Sequence, residues 1–131
     1  MQNKKGIALL ILRVVVGVIF IAHGYVKLFG GIPGFTGLLT NIGVPFPALA
    51  AWALAILEFF GGIAILLGIL TKLASTLLAM DMAVALFTVH LKNGFFIQDG
   101  GIELVFLLLG ATSSLALLGS GRWSLKMVIS K

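Results

Sequence analysis

The sequence predicts an all-α membrane protein, a bundle of four transmembrane helices with both termini cytoplasmic and a short interfacial or re-entrant helical segment between the first two. Three observations carry this. Of 131 residues, 60% are hydrophobic and only 10% charged, and the mean hydropathy of +1.21 is far above that of soluble domains. Apolar runs of about 18 residues or more recur along the chain, bounded by Gly, Pro or charge. The basic side chains stand at the ends of these runs rather than on one polar face, which excludes a nucleic-acid surface despite a formal charge of +5.

The first span is expected at 7–29. A Lys4, Lys5 pair before an apolar run looks like the start of a secretory signal, but Arg13 interrupts the run and no small-residue cleavage site follows, so the segment is read as a retained span. Next comes GGIPGFTGLLTNIGVPFP, uncharged and too broken by Gly and Pro to span. It predicts a short helix around 34–42, ended by Gly43 and Pro45, over the outer mouth of the bundle. The second and third spans, 49–70 and 73–91, are separated by little more than Thr71 and Lys72 and must form an antiparallel hairpin. The loop from Lys92 to Gly100 leads into the fourth span, 101–119. Placing the N terminus inside puts Lys4, Lys5, Lys72, Arg122, Lys126 and Lys131 on the cytoplasmic side and leaves Lys92 outside, with Trp52 and Trp123 near opposite interfaces.

Seven ionisable residues interrupt or edge these apolar runs: Arg13, His23, Lys27, Glu58, Asp81, His90 and Glu103. A charge at mid-bilayer costs roughly 2.5 to 3.5 kcal/mol on insertion scales, so each is expected to have a partner or a task. On a helical wheel, Arg13, Gly17, Phe20, His23, Gly24 and Lys27 share one face of span one. Ala51, Ala55, Glu58 and Gly62 share one face of span two, and Glu103, Gly110, Ser114 and Gly121 one face of span four. Such small, polar stripes are expected to turn inward, for packing within one bundle or between two copies. At 1.5 Å per residue, Arg13, Asp81 and Glu58 lie about 9, 12 and 16 Å from the inner edge, which predicts a structural polar pair of Arg13 with Glu58 or Asp81. His23, Lys27, His90 and Glu103 lie within about 10 Å of the outer edge and form a second cluster, suited to a proton relay or a polar ligand site. The plainer alternative is that these shallow groups snorkel to interfacial water and anchor helix ends. Asp81 and His90 stand about 180° apart on a straight helix, so Asp81 is also a candidate for a subunit contact.

The chain has no cysteine, which excludes thiolate catalysis, Cys-ligated clusters and Cys-bound zinc within it. His23, His90 and Glu103 would make a two-His, one-carboxylate iron set, and the two His an axial haem pair, but neither has tight ligand spacing. No metal or haem is predicted.

The ordered series of Arg, His-Gly, Lys, Glu-x-x-Gly-Gly, His, Gly-Phe-Phe, Gly-Gly-x-Glu and Gly-x-Gly-Arg-x-Ser runs through LRVVVGVIFIAHGYVKLFG, EFFGGIAILLGILTKLA, DMAVALFTVHLKNGFF and GGIELVFLLLGATSSLALLGSGRWSL. On these motifs the chain resembles the DoxX family of small four-helix membrane proteins, as a single transmembrane domain over 1–131. The resemblance implies a cell-membrane protein tied to redox chemistry: quinone-linked thiosulfate oxidation or a terminal-oxidase subunit in some relatives, a membrane platform for soluble thiol and superoxide enzymes in others, and catechol and quinone stress in bacilli, whose members are described as candidate oxidoreductases. The matching positions are Arg13, His23, Gly24, Lys27, Glu58, Gly62, His90, Gly94, Phe95, Glu103 and Gly121, while Asp81 matches only some relatives.

A quinone headgroup needs donors and a proton source at two carbonyl oxygens, and apolar or aromatic walls around its ring. The leading expectation is therefore a membrane subunit of a redox system that binds a quinone or similar small redox molecule in the outer half of the bundle. Its site would comprise His23 as proton donor or acceptor, Lys27 as electrostatic partner, and His90 and Glu103 as orienting groups, with Phe95 among the cofactor-binding residues. A separate redox enzyme, membrane lipid and a second copy of the chain are the expected partners. Two rivals stand beside it: a non-catalytic scaffold for soluble redox enzymes, docking them on the basic inner rim, and a small proton-coupled transporter.

Overall fold

The computed structural model describes residues 2–130 and, among them, contains helices and no strand. Helix α1 runs Gln2–Val26, a kinked turn covers Lys27–Gly31, and α2 covers Ile32–Asn41. Then α3 spans Pro47–Leu67 and α4 Thr71–Ala85, the latter extended by a π turn at Leu86–His90 and a 3-10 turn at Leu91–Asn93. A loop with a 3-10 turn at Ile97–Asp99 leads to α5, Glu103–Leu118, and the chain closes on the short α6, Leu125–Ile129. Three helical stretches are long and apolar enough to cross a membrane, 2–41, 47–67 and 71–93, and α5 is a shorter apolar helix.

The expected spans fall on α1, α3, α4 and α5, with ends displaced by several residues. Helix α1 starts earlier, because its lysines and Asn3 extend the helix beyond the apolar run. Helix α3 begins with Pro47 in its first turn, where the missing N–H costs nothing. It ends at Gly68, whose left-handed φ of 75° lets its N–H and that of Ile69 close on the Ala64 carbonyl at 2.9 and 3.0 Å. The short helix expected near 34–42 is α2. Phe29 and Gly30 leave helical geometry, Gly30 at φ 116°, so the stretch from 2 to 41 is kinked and α2 packs on α3.

Helix α1 packs chiefly on α3 and α4 on α5. The α1–α3 contact is set by small residues: a Cβ at Gly17 would lie 2.9 Å from the Gly62 carbonyl oxygen, and one at Gly24 would clash with the Phe59 backbone. This register places Arg13 level with Ile65 and Leu66, and Lys27 level with Glu58. Ala51, Ala55, Glu58 and Gly62 face inward as expected. The stripe predicted for span four does not: Gly110 and Ser114 are exposed, and α5 buries Val105, Leu108, Thr112 and Leu115. Apolar packing outweighs the small-residue pattern there, since four larger side chains offer more contact to α4.

Candidate functional site

At the end of the bundle away from the chain termini, α1, α2, α3, α4 and α5 enclose a cavity of about 510 Å³. Its walls are apolar: Phe20 from α1, Phe35, Leu38, Leu39 and Ile42 from α2, Met82 and Ala85 from α4, and Leu104, Val105 and Leu108 from α5. Its polar groups are His23, Lys27, Glu58, Asp81, Thr88 and His90. Cavities of this size, mostly apolar with a few convergent polar groups, are the usual form of small-molecule sites.

The Lys27 ammonium donates to both oxygens of Glu58, at 2.8 and 2.7 Å, in the single salt bridge among the described residues. Glu58 is buried, and the Lys27 side chain is 25% exposed. The same ammonium lies 4.4 Å from the centre of the Phe35 ring, a cation–π contact that ties α2 to the pair. Asp81 is buried beside Glu58, and its Oδ2 has no hydrogen-bond partner. Two carboxyls and one ammonium thus share an apolar chamber, an arrangement that calls for a proton or a ligand donor.

His90 reaches the cavity although a straight helix would turn it away from Asp81. The π turn at Leu86–His90 inserts one residue into the helix and sets the phase back by about 100°, leaving the two residues roughly 80° apart. Its Nδ1 lies 2.8 Å from the Gly100 carbonyl oxygen, which fixes the ring against the α4–α5 loop. Asp81 accordingly faces the chamber. Nothing in the sequence marks the π turn, which is what turns His90 and Asp81 to one cavity.

Arg13 corrects the predicted inner pair. It is 1% exposed and meets neither acid; it donates to the carbonyl oxygens of Ile65 and Leu66, both at 2.9 Å, and of Ser120 at 2.9 Å and Trp123 at 2.6 Å. The cause is register. The glycine contacts hold Arg13 beside the last turn of α3, about two turns from Glu58, where carbonyl oxygens with spare acceptor capacity and the helix dipole favour a cation. Glu58 takes Lys27 instead. Glu103 and Phe95 also stand apart from the cavity walls: Glu103 Oε2 accepts the Ile97 N–H at 3.1 Å, and Phe95 is exposed while its carbonyl accepts the Glu103 N–H at 2.8 Å. The Gly-Phe-Phe and Gly-Gly-x-Glu motifs here build the loop, since a Cβ on Gly101 would strike the Gly94 and Phe95 backbone. The structure brings together His23, Lys27, His90, Glu58 and Asp81, and no group of three or more potential metal ligands occurs among the described residues.

These features define a helical membrane protein with an apolar chamber and a charged floor. The chain belongs to the DoxX family, whose sequence profile matches residues 8–91. It is 37% identical over 120 residues to the "Putative oxidoreductase CatD" of Bacillus subtilis, covering 92% of this chain and 85% of that one. It is 34% identical over 110 residues to an uncharacterised protein of Haemophilus influenzae, covering 82% and 79%. No solved structure matches.

Proposed function

We propose that the chain is the membrane subunit of a redox system in the cell membrane, with four spans and both termini cytoplasmic, and that its outer cavity binds a quinone or similar small redox molecule. The observation that carries this is the chamber of about 510 Å³, apolar on its walls and floored by Lys27, Glu58 and Asp81. The oxidoreductase named for the Bacillus subtilis relative supports the redox assignment. A quinone ring fits between Phe20, Phe35 and Leu104, with one carbonyl toward Lys27 and the other toward His23 or His90 as hydrogen-bond donors.

Full reduction of a quinone takes two electrons and two protons. This chain has no cysteine and hence no dithiol couple of its own; in this reading a separate redox enzyme supplies the electrons. The chain's own part is to bind and orient the ring and to deliver protons, for which Asp81 and the two His are the placed groups. Below the floor, Val16, Ile65, Leu78 and Leu115 form a closed apolar core, which favours a one-ended pocket over a path across the bundle.

Titrating detergent-purified protein with a short-chain benzoquinone tests the proposal. Saturable binding is expected, weakened about tenfold by Lys27→Met or Asp81→Ala, the scale of one lost charge-assisted hydrogen bond. Absence of saturable binding to the folded wild type would refute it.

A further inference from the structure

The opposite end of the bundle carries a different site. Asn3 accepts a hydrogen bond from Arg122 at 2.6 Å, and Lys72 lies against Gly119, so the start of α1, the α3–α4 turn and the segment after α5 meet there. Lys4, Lys5, Lys72, Arg122 and Lys126 gather at this end, whereas the four acids lie in the cavity or the far loop.

Within this basic end is a second cavity, also of about 510 Å³, between the first turn of α4, Gly119 and Ser120, and α6. Leu70, before α4, stands in left-handed geometry at φ 49° and provides no side-chain cap. The first N–H groups of α4, on Thr71, Lys72 and Leu73, are thus left without a capping acceptor beside the cavity. A helix start is a weak anion site by itself, but three further observations point the same way. Thr71 lines the cavity and is 4% exposed, and its hydroxyl has no hydrogen-bond partner. The exposed Lys72 of α4 and Lys126 of α6 both line it, with no acid among the described lining residues. Gly119 leaves room for the Lys72 stem: a Cβ there would lie 3.1 Å from Lys72 Cε.

We propose that this cavity binds the phosphate of an anionic phospholipid. Lys72 and Lys126 neutralise the phosphate, the start of α4 and the Thr71 hydroxyl donate to its oxygens, and the exposed Leu70 and Leu73 lie alongside the acyl chains. The apolar flank is what favours a lipid over free phosphate or an acidic protein segment. The site is separate from the outer cavity and does not depend on what that cavity binds.

Native mass spectrometry of delipidated protein offered equal phosphatidylglycerol and phosphatidylcholine tests it, with thermal unfolding in inorganic phosphate as a second arm. At about 1 kcal/mol per lysine near an anionic surface, the wild type should prefer phosphatidylglycerol about tenfold or more. Lys72→Gln with Lys126→Gln should reduce that preference to about threefold or less, and the corresponding pair of arginines should retain it. Lys4→Gln with Lys5→Gln, at the same end but outside the cavity, should change it little. An equal loss in the Lys4, Lys5 variant would reduce the effect to diffuse surface charge and overturn the proposal. So would protection by inorganic phosphate without lipid preference, or an arginine pair that folds yet loses the preference.

Discussion

A guanidinium inside an apolar bundle has five N–H donors to satisfy, and Arg13 makes four bonds to carbonyls drawn from two segments, the end of α3 and the turn after α5. It is a clamp between chain regions more than fifty residues apart. Removing it strands buried carbonyls, so Arg13→Met should destabilise the protein by about 2 to 4 kcal/mol, read as a fall in thermal midpoint in detergent. Arg13→Lys should recover little, because an ammonium cannot fork to both segments; full recovery would show that charge alone matters. Lys27 and Glu58 differ in kind. Their attraction is partly offset by desolvation, so Lys27→Met, which strands a buried carboxylate, should cost more than Lys27→Met combined with Glu58→Gln. Equal losses in the two variants, measured by the same unfolding assay, would argue against coupling.

The elements are positioned by small residues at a few levels. Gly62→Ala should cost roughly 1 to 3 kcal/mol, since its Cβ would stand 2.8 Å from the Ile21 backbone nitrogen and neither backbone can yield cheaply. Gly110→Ala, with nothing within 4 Å, should be neutral or stabilising by about 0.5 to 1 kcal/mol. A large loss at Gly110 would place an unrecognised partner on that face of α5. The π turn in α4 is the second positioning device. Because it contains one residue more than an α-helical turn, deleting the exposed Phe87 should restore an α-helix while keeping His90 toward Gly100. The deletion variant should fold with little loss of stability, and failure to fold would show that the bulge itself is required.

For the whole molecule, hydropathy alone indicates an all-helical membrane protein, and the Gly-Pro run before Pro47 indicates the extra helix over one end. The inward face of α3 was equally readable, because Ala51, Ala55, Glu58 and Gly62 recur at helical spacing. Residue pairing was not. Depth arithmetic treats each span as an isolated rod, but glycine contacts between α1 and α3 fix a register that gives Glu58 to Lys27 and Arg13 to carbonyls. Side-chain periodicity does not display backbone acceptors. Nor does it display the π turn that brings His90 and Asp81 to one chamber, or the loop bonds that occupy Glu103. The resulting molecule has two unlike ends: a chamber with a Lys, two acids and two His, and a basic rim where the start of α1 meets the segment after α5.

If the chamber receives a quinone-like ring, photolabelling with an azido-benzoquinone, mapped by mass spectrometry, will mark its walls. Labels are predicted on chamber residues such as Leu38, Leu39 and Val89, suppressed by unlabelled benzoquinone and diminished in Asp81→Ala. Labels confined to outward-facing residues such as Ile11 and Leu107, or unaffected by competition, would show that the ring does not occupy the chamber.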